Sequence, residues 1–169
     1  MIIREERPED RAGVHAVEAL AFGRNDEADL VDLLRAHGKA TLSLVAEDGG
    51  QIVGHVLFSP GWIEGLQGHV PVEGMGPVAV LPERQRQGIG SAMIRAGLDW
   101  MRQAGHRLII VEGDPRYYMR FAFQDATPLG ITCQFEPPPG CFMIQTLTPG
   151  ALAGVRGKAY YADEFQSVG

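Results

Sequence analysis

Residues 81–91 have the types and spacing that bind a phosphate group between a predicted strand and a predicted long helix. Gly88 and Gly90, one residue apart, allow the backbone to pass close to a ligand. The start of the helix presents unpaired N–H groups at the positive end of its dipole, which favours a phosphate or pyrophosphate there. Arg84 and Arg86 add positive charge nearby. These residues therefore predict an anion site at the start of the helix.

The same loop has to be distinguished from two other kinds of nucleotide site. A P-loop needs Gly-Lys-Ser/Thr, which does not occur in the sequence, so a P-loop NTPase is excluded. A Rossmann site fits in part, because Glu112 follows Gly90 by 22 residues at the end of a predicted strand. Against it, Met93 stands at the third glycine position, and seven residues separate Val80 from Gly88. A glycine-containing helix start that binds nothing is the alternative on these residues alone.

Length and charge limit the classes of protein to which the chain can belong. The chain has 169 residues, with 15 Lys and Arg against 21 Asp and Glu, and a formal net charge of -6. This length corresponds to about one domain, which can bury a core without disulfide or metal staples. The 45% hydrophobic and 21% charged residues are typical of a soluble globular protein. The acidic balance argues against nucleic-acid binding, for which a basic domain is usual.

Cysteine and histidine usage predicts neither a disulfide framework nor a metal site. Cys133 and Cys141 are too few for a framework or a four-ligand zinc site, and both are expected to be buried small hydrophobes. The five histidines form no i, i+4 pair, and His55 is expected on the polar face of a strand. The N-terminus runs straight into charge, without the apolar region of a signal peptide. No apolar run fits a spanning helix, so a cytoplasmic protein is expected.

The elements that must position the loop follow from the hydrophobic patterns. Helical spacing predicts helices, and alternation on both sides of residues 48–51 predicts a hairpin. In chain order we predict a strand over 2–5, a helix opened by Pro8, a helix over 26–37, strands over 41–47, 52–58 and 75–80, a helix over 88–104, a strand over 107–112, a short helix over 115–121 and strands over 131–135 and 141–146. The Gly-rich stretch 61–74 predicts a loop. The fold class is therefore α/β, with a mixed sheet and helices in one domain.

Pro77 is an unusual residue for the strand that leads into the loop. Proline has no N–H to donate to a ladder, so it is disfavoured in a central strand. The Gly-Pro pair at 76–77 therefore indicates an edge, a bulge or a local separation of this strand from its neighbour.

Two blocks of the sequence resemble those of the GNAT superfamily of acetyl-CoA-dependent N-acyltransferases. The first follows a similar strand over 76–82, matches the signature Arg/Gln-x-x-Gly-x-Gly/Ala and reads Gln85-Arg86-Gln87-Gly88-Ile89-Gly90. The second is similar to the family's Tyr-x-Lys-x-Gly-Phe and reads Tyr118-x-Arg120-x-Ala122-Phe123. The order of elements over 2–146 also agrees with this fold. The sequence departs from the pattern at Ala122, usually glycine, and at 113–115, where an asparagine common in the family is missing.

The resemblance implies how acetyl-CoA binds. In this fold a splayed central strand pair, here 75–81 and 107–112, opens a cleft that admits the pantetheine arm. The backbone N–H and C=O groups of Val78 and Val80 would then be free to pair with the pantetheine amides. The pyrophosphate would be held by the loop residues Gln85, Arg86, Gln87, Gly88, Gly90 and Ser91. An unbroken ladder between the two strands would contradict this interpretation.

The resemblance also implies catalytic roles. Tyr118 matches the family's general-acid tyrosine, which protonates the departing thiolate, although its ring could instead only pack in an aromatic core. Glu73 is the position from which some members activate the amine, and Glu112 or ordered water alone is the alternative. The N–H of Val80 is the candidate donor to the thioester oxygen. A base is needed because an alkyl ammonium, with a pKa of about 10.4, cannot attack.

The prediction as a whole is a single GNAT-like N-acetyltransferase domain over 1–150. A C-terminal extension over 151–169 would pack on it or on a partner, so a homodimer is one option. We expect transfer of the acetyl group of acetyl-CoA to a primary amine by direct attack, without a metal. The expected acceptor is a small molecule rather than a peptide, with no nucleic-acid or membrane partner. The alternative is a non-catalytic acyl-CoA sensor.

Overall fold

The structure is a computed structural model that describes residues 1–168. It contains four α-helices and nine strands: β1 (Ile2–Glu5), α1 (Arg11–Phe22), α2 (Asp26–Ala36), β2 (Leu42–Asp48), β3 (Gln51–Gly65), β4 (Gly68–Val80), α3 (Ile89–Gln103), β5 (Leu108–Glu112), α4 (Pro115–Tyr118), β6 (Gln124–Asp125), β7 (Ile131–Cys133), β8 (Phe142–Thr146) and β9 (Gly157–Tyr160). Short 3-10 helices occupy Pro8–Asp10, Pro82–Arg84, Met119–Phe121, Thr127–Leu129 and Asp163–Ser167. No helix in the described part of the chain is long and apolar enough to cross a membrane.

The chain divides into two compact units, and the first contains the N-terminal helices. It comprises Met1–Ser59, Gly76–Gly97 and residues 163–168. Its strands follow the order β1-β2-β3-β4, and β1, β2 and β3 pair antiparallel. The predicted hairpin at 48–51 is confirmed, because Asp48 pairs with Gln51 and both intervening glycines have positive φ. Helix α1 packs against α2, and the core includes the fully buried side chains of Val14, Leu34 and Phe58.

Helix α3 lies unusually close to β3, and two glycines explain why. A Cβ added to Gly97 would lie 2.5 Å from the Phe58 ring, and one added to Gly54 would lie 2.8 Å from Met93 Cε. Real Cβ atoms do not approach other atoms this closely. Gly97 is therefore needed against the rigid Phe58 ring, whereas at Gly54 the flexible end of Met93 would have to move. The helix predicted over 88–104 is therefore confirmed together with its apolar face.

The second unit, Pro60–Met75 with Leu98–Ala162, contains the mixed part of the sheet. Its strands follow the order β4-β5-β8-β6, in which β5 is parallel to β4 and antiparallel to β8. Strand β9 pairs antiparallel with β3 and parallel with β7. Ile109, Ile110, Met143 and Ile144 are fully buried at its centre. This combination of parallel and antiparallel pairs agrees with the predicted α/β class.

The predicted loop over 61–74 is wrong, because β3 continues to Gly65 and β4 begins at Gly68. The glycines that suggested a loop are needed for a close backbone approach. A Cβ on Gly61 would lie 2.3 Å from Tyr160 O, and one on Gly65 would lie 2.2 Å from Arg156 O. These glycines therefore let the β9 segment, which the sequence analysis also missed, pair against the end of β3.

Candidate functional site

The loop between β4 and α3 leaves the backbone exposed just before the helix. After the 3-10 turn Pro82–Arg84, Arg86 has φ +62° and Gly88 has φ +84°. Residues 85–88 are exposed, and a Cβ on Gly88 would meet nothing within 4 Å. The first bond of the helix runs from the Ala92 N–H to the Gly88 carbonyl at 3.0 Å. The backbone just before the helix is therefore open to solvent, next to the first helical turn, whose N–H groups have no acceptors within the helix.

Polar side chains brace this loop from within the first unit. The Gln85 amide donates to the Val80 carbonyl at 3.0 Å, and the Gln87 amide donates to the Glu83 carbonyl at 3.3 Å. The Val80 carbonyl therefore accepts one side-chain hydrogen bond, which uses one of its two lone pairs and leaves the other.

The two arginines of the loop have different environments. Arg84 donates to Asp48 at 2.7 Å, and this hydrogen bond lowers the pKa of Asp48. Arg86 is exposed, and none of the contacts described for residues 1–168 involves its guanidinium. Arg84 therefore anchors the loop to the hairpin of β2 and β3, whereas Arg86 is exposed to solvent.

The backbone of β4 directs alternate N–H groups to one edge. The Leu81 N–H donates to the Val53 carbonyl of β3 at 3.0 Å. Because N–H groups alternate in direction along a strand, those of Val78 and Val80 point away from β3. The described ladder between β4 and β5 consists of the pairs Glu73–Ile109 and Gly74–Ile110. The ladder is therefore short. Within the described chain, β4 and β5 do not form the unbroken ladder that would contradict a splayed strand pair.

Tyr118 lies at the end of α4 in the second unit. Asp114 caps this helix by accepting the Arg116 N–H at 2.9 Å. Burial raises the pKa of Tyr118 to about 12, so its hydroxyl is protonated at neutral pH. The Tyr118 ring stands edge-on to Phe123, with centroids 6.0 Å apart. The aromatic packing considered as the alternative is thus present, and it leaves the proton that an acid needs in place.

Gly113 makes room for this tyrosine. A Cβ at position 113 would lie 2.4 Å from Cε2 of Tyr118. The segment 113–115, where the family asparagine is missing, therefore supports the Tyr118 ring instead. Ala122 has φ +69°, a conformation that glycine adopts without strain, which explains why glycine is usual at that position of the motif.

Glu73 lies in the second unit, in the register pair with Ile109. Its side chain is only 7% exposed, and its Oε1 lies 3.7 Å from Nδ1 of His106. The His106 ring in turn stacks on Trp100, with centroids 6.5 Å apart. No local pattern in the sequence indicates His106, because its proximity to Glu73 depends on the parallel pairing of β4 with β5.

Glu112, the alternative base, accepts a hydrogen bond from a thiol. Cys133 donates its S–H to Oε1 of Glu112 at 3.1 Å. Burial raises the pKa of Cys133 to about 12, so the group is a thiol at neutral pH. Since a thiolate is the nucleophilic form, Cys133 is an inert buried group, in agreement with the sequence analysis.

His55 is not on a polar face, because its side chain is fully buried. Its Nδ1 lies 2.7 Å from Glu18 Oε1, and its Nε2 lies 2.8 Å from Ser43 Oγ. Ser43 also donates to Glu6 at 2.7 Å. Burial raises the pKa of Glu18, whose partner His55 is 37 residues away in the chain. The prediction failed because this distant partner on α1 makes burial of the imidazole tolerable.

His15, Asp29 and Asp32 place potential ligand atoms within 4.8 Å of one another on α1 and α2. Asp32 uses one oxygen for Arg35 at 2.9 Å and the other for His15 at 2.8 Å. Neighbouring side chains therefore account for both oxygens of Asp32, and the cluster is explained by hydrogen bonding.

The two units hold different parts of the predicted site. Val78, Val80 and the residues of the loop over 85–91 lie in the first unit. Tyr118 and Glu73 lie in the second. The first set offers exposed loop backbone and an exposed arginine, and the second contains a protonated phenol and a buried carboxyl group.

Comparisons with known proteins agree with this chemistry. A family model described as the acetyltransferase (GNAT) family matches residues 9–123. The uncharacterized N-acetyltransferase YhbS of Escherichia coli K12 is 36% identical over 166 residues, which cover 98% of each chain. The uncharacterized N-acetyltransferase YjhQ of the same strain is 35% identical over 153 residues, covering 86% of this chain and 84% of the relative.

Two solved structures are also similar. Escherichia coli YhbS in complex with CoA has a TM-score of 0.92 and 34% identity, and the match covers 99% of this chain and 93% of that one. A GNAT family acetyltransferase from Brucella melitensis in complex with acetyl-CoA has a TM-score of 0.81 and 38% identity, with 97% of each chain covered.

Proposed function

The chain belongs to the GNAT family of acetyltransferases, and from this premise we propose that it transfers the acetyl group of acetyl-CoA to a small primary amine by direct attack. It is an acyltransferase that uses acetyl-CoA as its co-substrate. The names of the relatives disfavour a non-catalytic sensor, because both are N-acetyltransferases.

The proposal for acetyl-CoA binding rests on the edge of β4 and on the loop that follows it. The N–H groups of Val78 and Val80 point away from β3 and would donate to the pantetheine amides. The open backbone around Gly88 and the start of α3 would hold the pyrophosphate, with Arg86 supplying positive charge. The loop fits such a group because a Cβ at Gly88 would meet only open space.

Gln85 and Gln87 contribute indirectly to this site. Their side chains brace the loop through the Val80 and Glu83 carbonyls, which would hold the loop backbone in place for the ligand. Gly90 and Ser91 lie in the first turn of α3, where N–H groups lack intrahelical acceptors.

In the proposed reaction, the groups of the second unit handle protons. Glu73 accepts a proton from the incoming ammonium, so that a neutral amine can attack the thioester carbon. After the C–N bond forms, the attacking nitrogen loses a second proton to solvent and the C–S bond breaks. The Tyr118 hydroxyl donates a hydrogen bond to the departing thiolate, which is possible because its high pKa keeps it protonated. The Val80 N–H donates to the thioester oxygen as negative charge develops there. Glu112 is less suited to act as the base, because Cys133 already donates to it.

Release of free CoA in the presence of a panel of amines tests this proposal. The wild type should release CoA only when both acetyl-CoA and an accepting amine are present, and mass spectrometry should find the acetylated amine. The variant Glu73→Gln should lower kcat about 100-fold or more, in the range of general-base contributions. Unchanged release by that variant would remove Glu73 from the mechanism, and acylated protein as the sole product would contradict direct attack.

A further inference from the structure

The second unit contains a cavity of about 340 Å³ beside Glu73. Its apolar walls come from the second half of β3, the first residues of β4 and β5 and the segment after β8, and they include Pro60, Val70, Pro71, Val72, Leu108 and Ala151. Glu73, His106 and Arg107 supply the ionisable side chains of the lining. The cavity is thus an apolar space with a carboxylate in its wall.

The carboxylate gives this cavity a preference for a cation. The Glu73 side chain is 7% exposed, and water screens a charge poorly at such a position. Nδ1 of His106, which also lines the cavity, lies 3.7 Å from Oε1 of Glu73, and a carboxylate has lone pairs for more than one donor. A single ammonium group in the cavity would gain a charge-assisted hydrogen bond with Glu73, while the rest of the ligand would contact apolar side chains.

The other charges of the lining limit how many cationic groups a ligand can carry. Arg107 is exposed and always charged, and His106 beside it is 32% exposed on its side chain. A second ammonium would have to be buried against apolar walls or placed near Arg107, and both are unfavourable. The cavity therefore disfavours polyamines.

The volume limits the size of the ligand. An apolar cavity of about 150 Å³ accommodates benzene, so by proportion this cavity holds about ten to fourteen non-hydrogen atoms. A ring or branched chain with one amine fits this limit, whereas the side chain of a lysine peptide would fill only part of the space and leave apolar wall uncovered.

We propose that this cavity is the acceptor subsite and that the acceptor is a compact apolar primary amine with a single positive charge. The inference rests on the proposed function, in which Glu73 is the base. It adds the substrate class, which the sequence alone does not specify.

Steady-state kinetics with three probe amines at saturating acetyl-CoA test the inference. Phenethylamine represents the proposed class, a diamine of similar length adds a second charge, and a lysine peptide represents a large acceptor. We expect the kcat/KM of the wild type for phenethylamine to exceed that for the diamine and for the peptide at least about tenfold, which corresponds to about 1.4 kcal/mol.

Two matched variants connect this preference to the cavity. Val70 is half-buried and lines the cavity, so Val70→Phe should reduce the space and raise the KM for phenethylamine about tenfold or more. The KM for the smaller n-propylamine should change less than about threefold, because fewer atoms compete for the space. Leu152 is half-buried in the same unit but does not line the cavity, so Leu152→Phe should leave both KM values unchanged. Thermal unfolding of both variants confirms that they are folded.

Several outcomes distinguish a wrong substrate class or subsite from a wrong proposed function. Acetyl-CoA binding with faster acetylation of the diamine or the peptide would overturn the substrate class and leave the acetyltransferase proposal intact. Equal effects of Val70→Phe and Leu152→Phe would overturn the location of the subsite. Absence of both acetyl-CoA binding and CoA release with every amine would overturn the proposed function, and the subsite with it. If Val70→Phe does not fold, Val70→Ala takes its place and should lower the KM for amines larger than phenethylamine.

Discussion

At the residue scale, the protonation of Tyr118 determines how it can assist catalysis. Burial raises its pKa to about 12, which is above the pKa of about 8.5 of a thiol. Complete proton transfer from such a phenol to a thiolate is uphill. Its contribution is therefore mainly a hydrogen bond to the charge that develops on the leaving sulfur.

The variant Tyr118→Phe tests this role. A hydrogen bond to a charged group contributes about 1.5–3 kcal/mol, so kcat should fall roughly 10- to 150-fold. Acetyl-CoA affinity should stay within about threefold, because the proposed binding groups lie in β4 and the following loop. Stopped assays of free CoA and titration calorimetry measure the two quantities. A kcat equal to that of the wild type would exclude Tyr118 from the reaction.

The pH dependence of kcat follows from the direction of the same shift. A group whose pKa is raised to about 12 keeps its proton throughout the neutral and mildly alkaline range. Tyr118 should therefore cause no loss of kcat between about pH 7 and pH 10, whereas a phenol with an ordinary pKa of about 10 would begin to titrate there. A fall in kcat over that interval that disappears in Tyr118→Phe would contradict the assignment.

Gly113 should affect the reaction only through Tyr118. A Cβ there would lie 2.4 Å from the tyrosine ring, so Gly113→Ala should displace the ring and lower kcat in the same direction as Tyr118→Phe. In the Tyr118→Phe background the same substitution should lower kcat less, because the two residues act as one unit. Fully additive losses of activity would show that Gly113 acts on something other than the hydroxyl.

At the scale of elements, the contact between α3 and β3 reverses the usual preference for alanine over glycine within a helix. Alanine in a helix is normally about 1 kcal/mol more stable than glycine. A Cβ at Gly97, however, would lie 2.5 Å from Phe58, and overpacking costs about 1–3 kcal/mol. Gly97→Ala should therefore lower the free energy of unfolding by up to about 2 kcal/mol, measured by urea denaturation. The addition of Phe58→Leu should reduce the cost of the alanine, and an increase in stability in Gly97→Ala alone would refute this packing.

The C-terminal 3-10 helix is held to α2 by Glu164. Burial tends to raise the pKa of this carboxyl, but hydrogen bonds from Lys39 at 2.9 Å and from His37 at 2.6 Å outweigh it and hold the pKa at about 2. A carboxyl with a lowered pKa stabilises the folded state above its ordinary value of 4.5, and this stabilisation is lost as the pH falls towards 2.

Glu164→Gln should therefore destabilise the protein at pH 7 and have less effect in acid. We expect about 1–2 kcal/mol at pH 7, allowing for solvent screening of the partly exposed Lys39 and His37. Unfolding curves at pH 7 and pH 3 measure the change. Glu9→Gln is a suitable control, because Glu9 is exposed and has no described side-chain contact. A penalty that grows in acid would contradict the assigned direction.

The elements that sequence predicts well are those set by local patterns. Helix α3 and the hairpin between β2 and β3 were predicted because spacing and turn residues specify them within the segment itself. The stretch 61–74 was predicted as a loop because the role of Gly61 depends on the backbone of Tyr160, which is far away in the chain. Strand β9 was missed for the same reason: its pairs with β3 and β7 are distant in sequence.

At the scale of the whole molecule, the predicted parts of the site are those that local sequence patterns specify, and the missed parts depend on contacts between residues distant in sequence. The phosphate loop and the block containing Tyr118 are contiguous motifs, so their residue types and spacing are visible in the chain. The proximity of Glu73 to His106 appears only when β4 and β5 pair in parallel. The environment of His55 likewise depends on Glu18 of α1. Long-range pairing, rather than residue type, limited the prediction.

The central claim is that the loop before α3 binds the pyrophosphate of acetyl-CoA, and titration calorimetry tests it most directly. Gly90→Glu places a negative side chain in the first turn of the helix, and Gln103→Glu adds the same charge at its last residue. The wild type and Gln103→Glu should bind acetyl-CoA with similar affinity. Gly90→Glu should bind at least about 100-fold more weakly, a loss of about 2.7 kcal/mol. Equal affinity of a folded Gly90→Glu variant, or no binding by the wild type, would contradict the account.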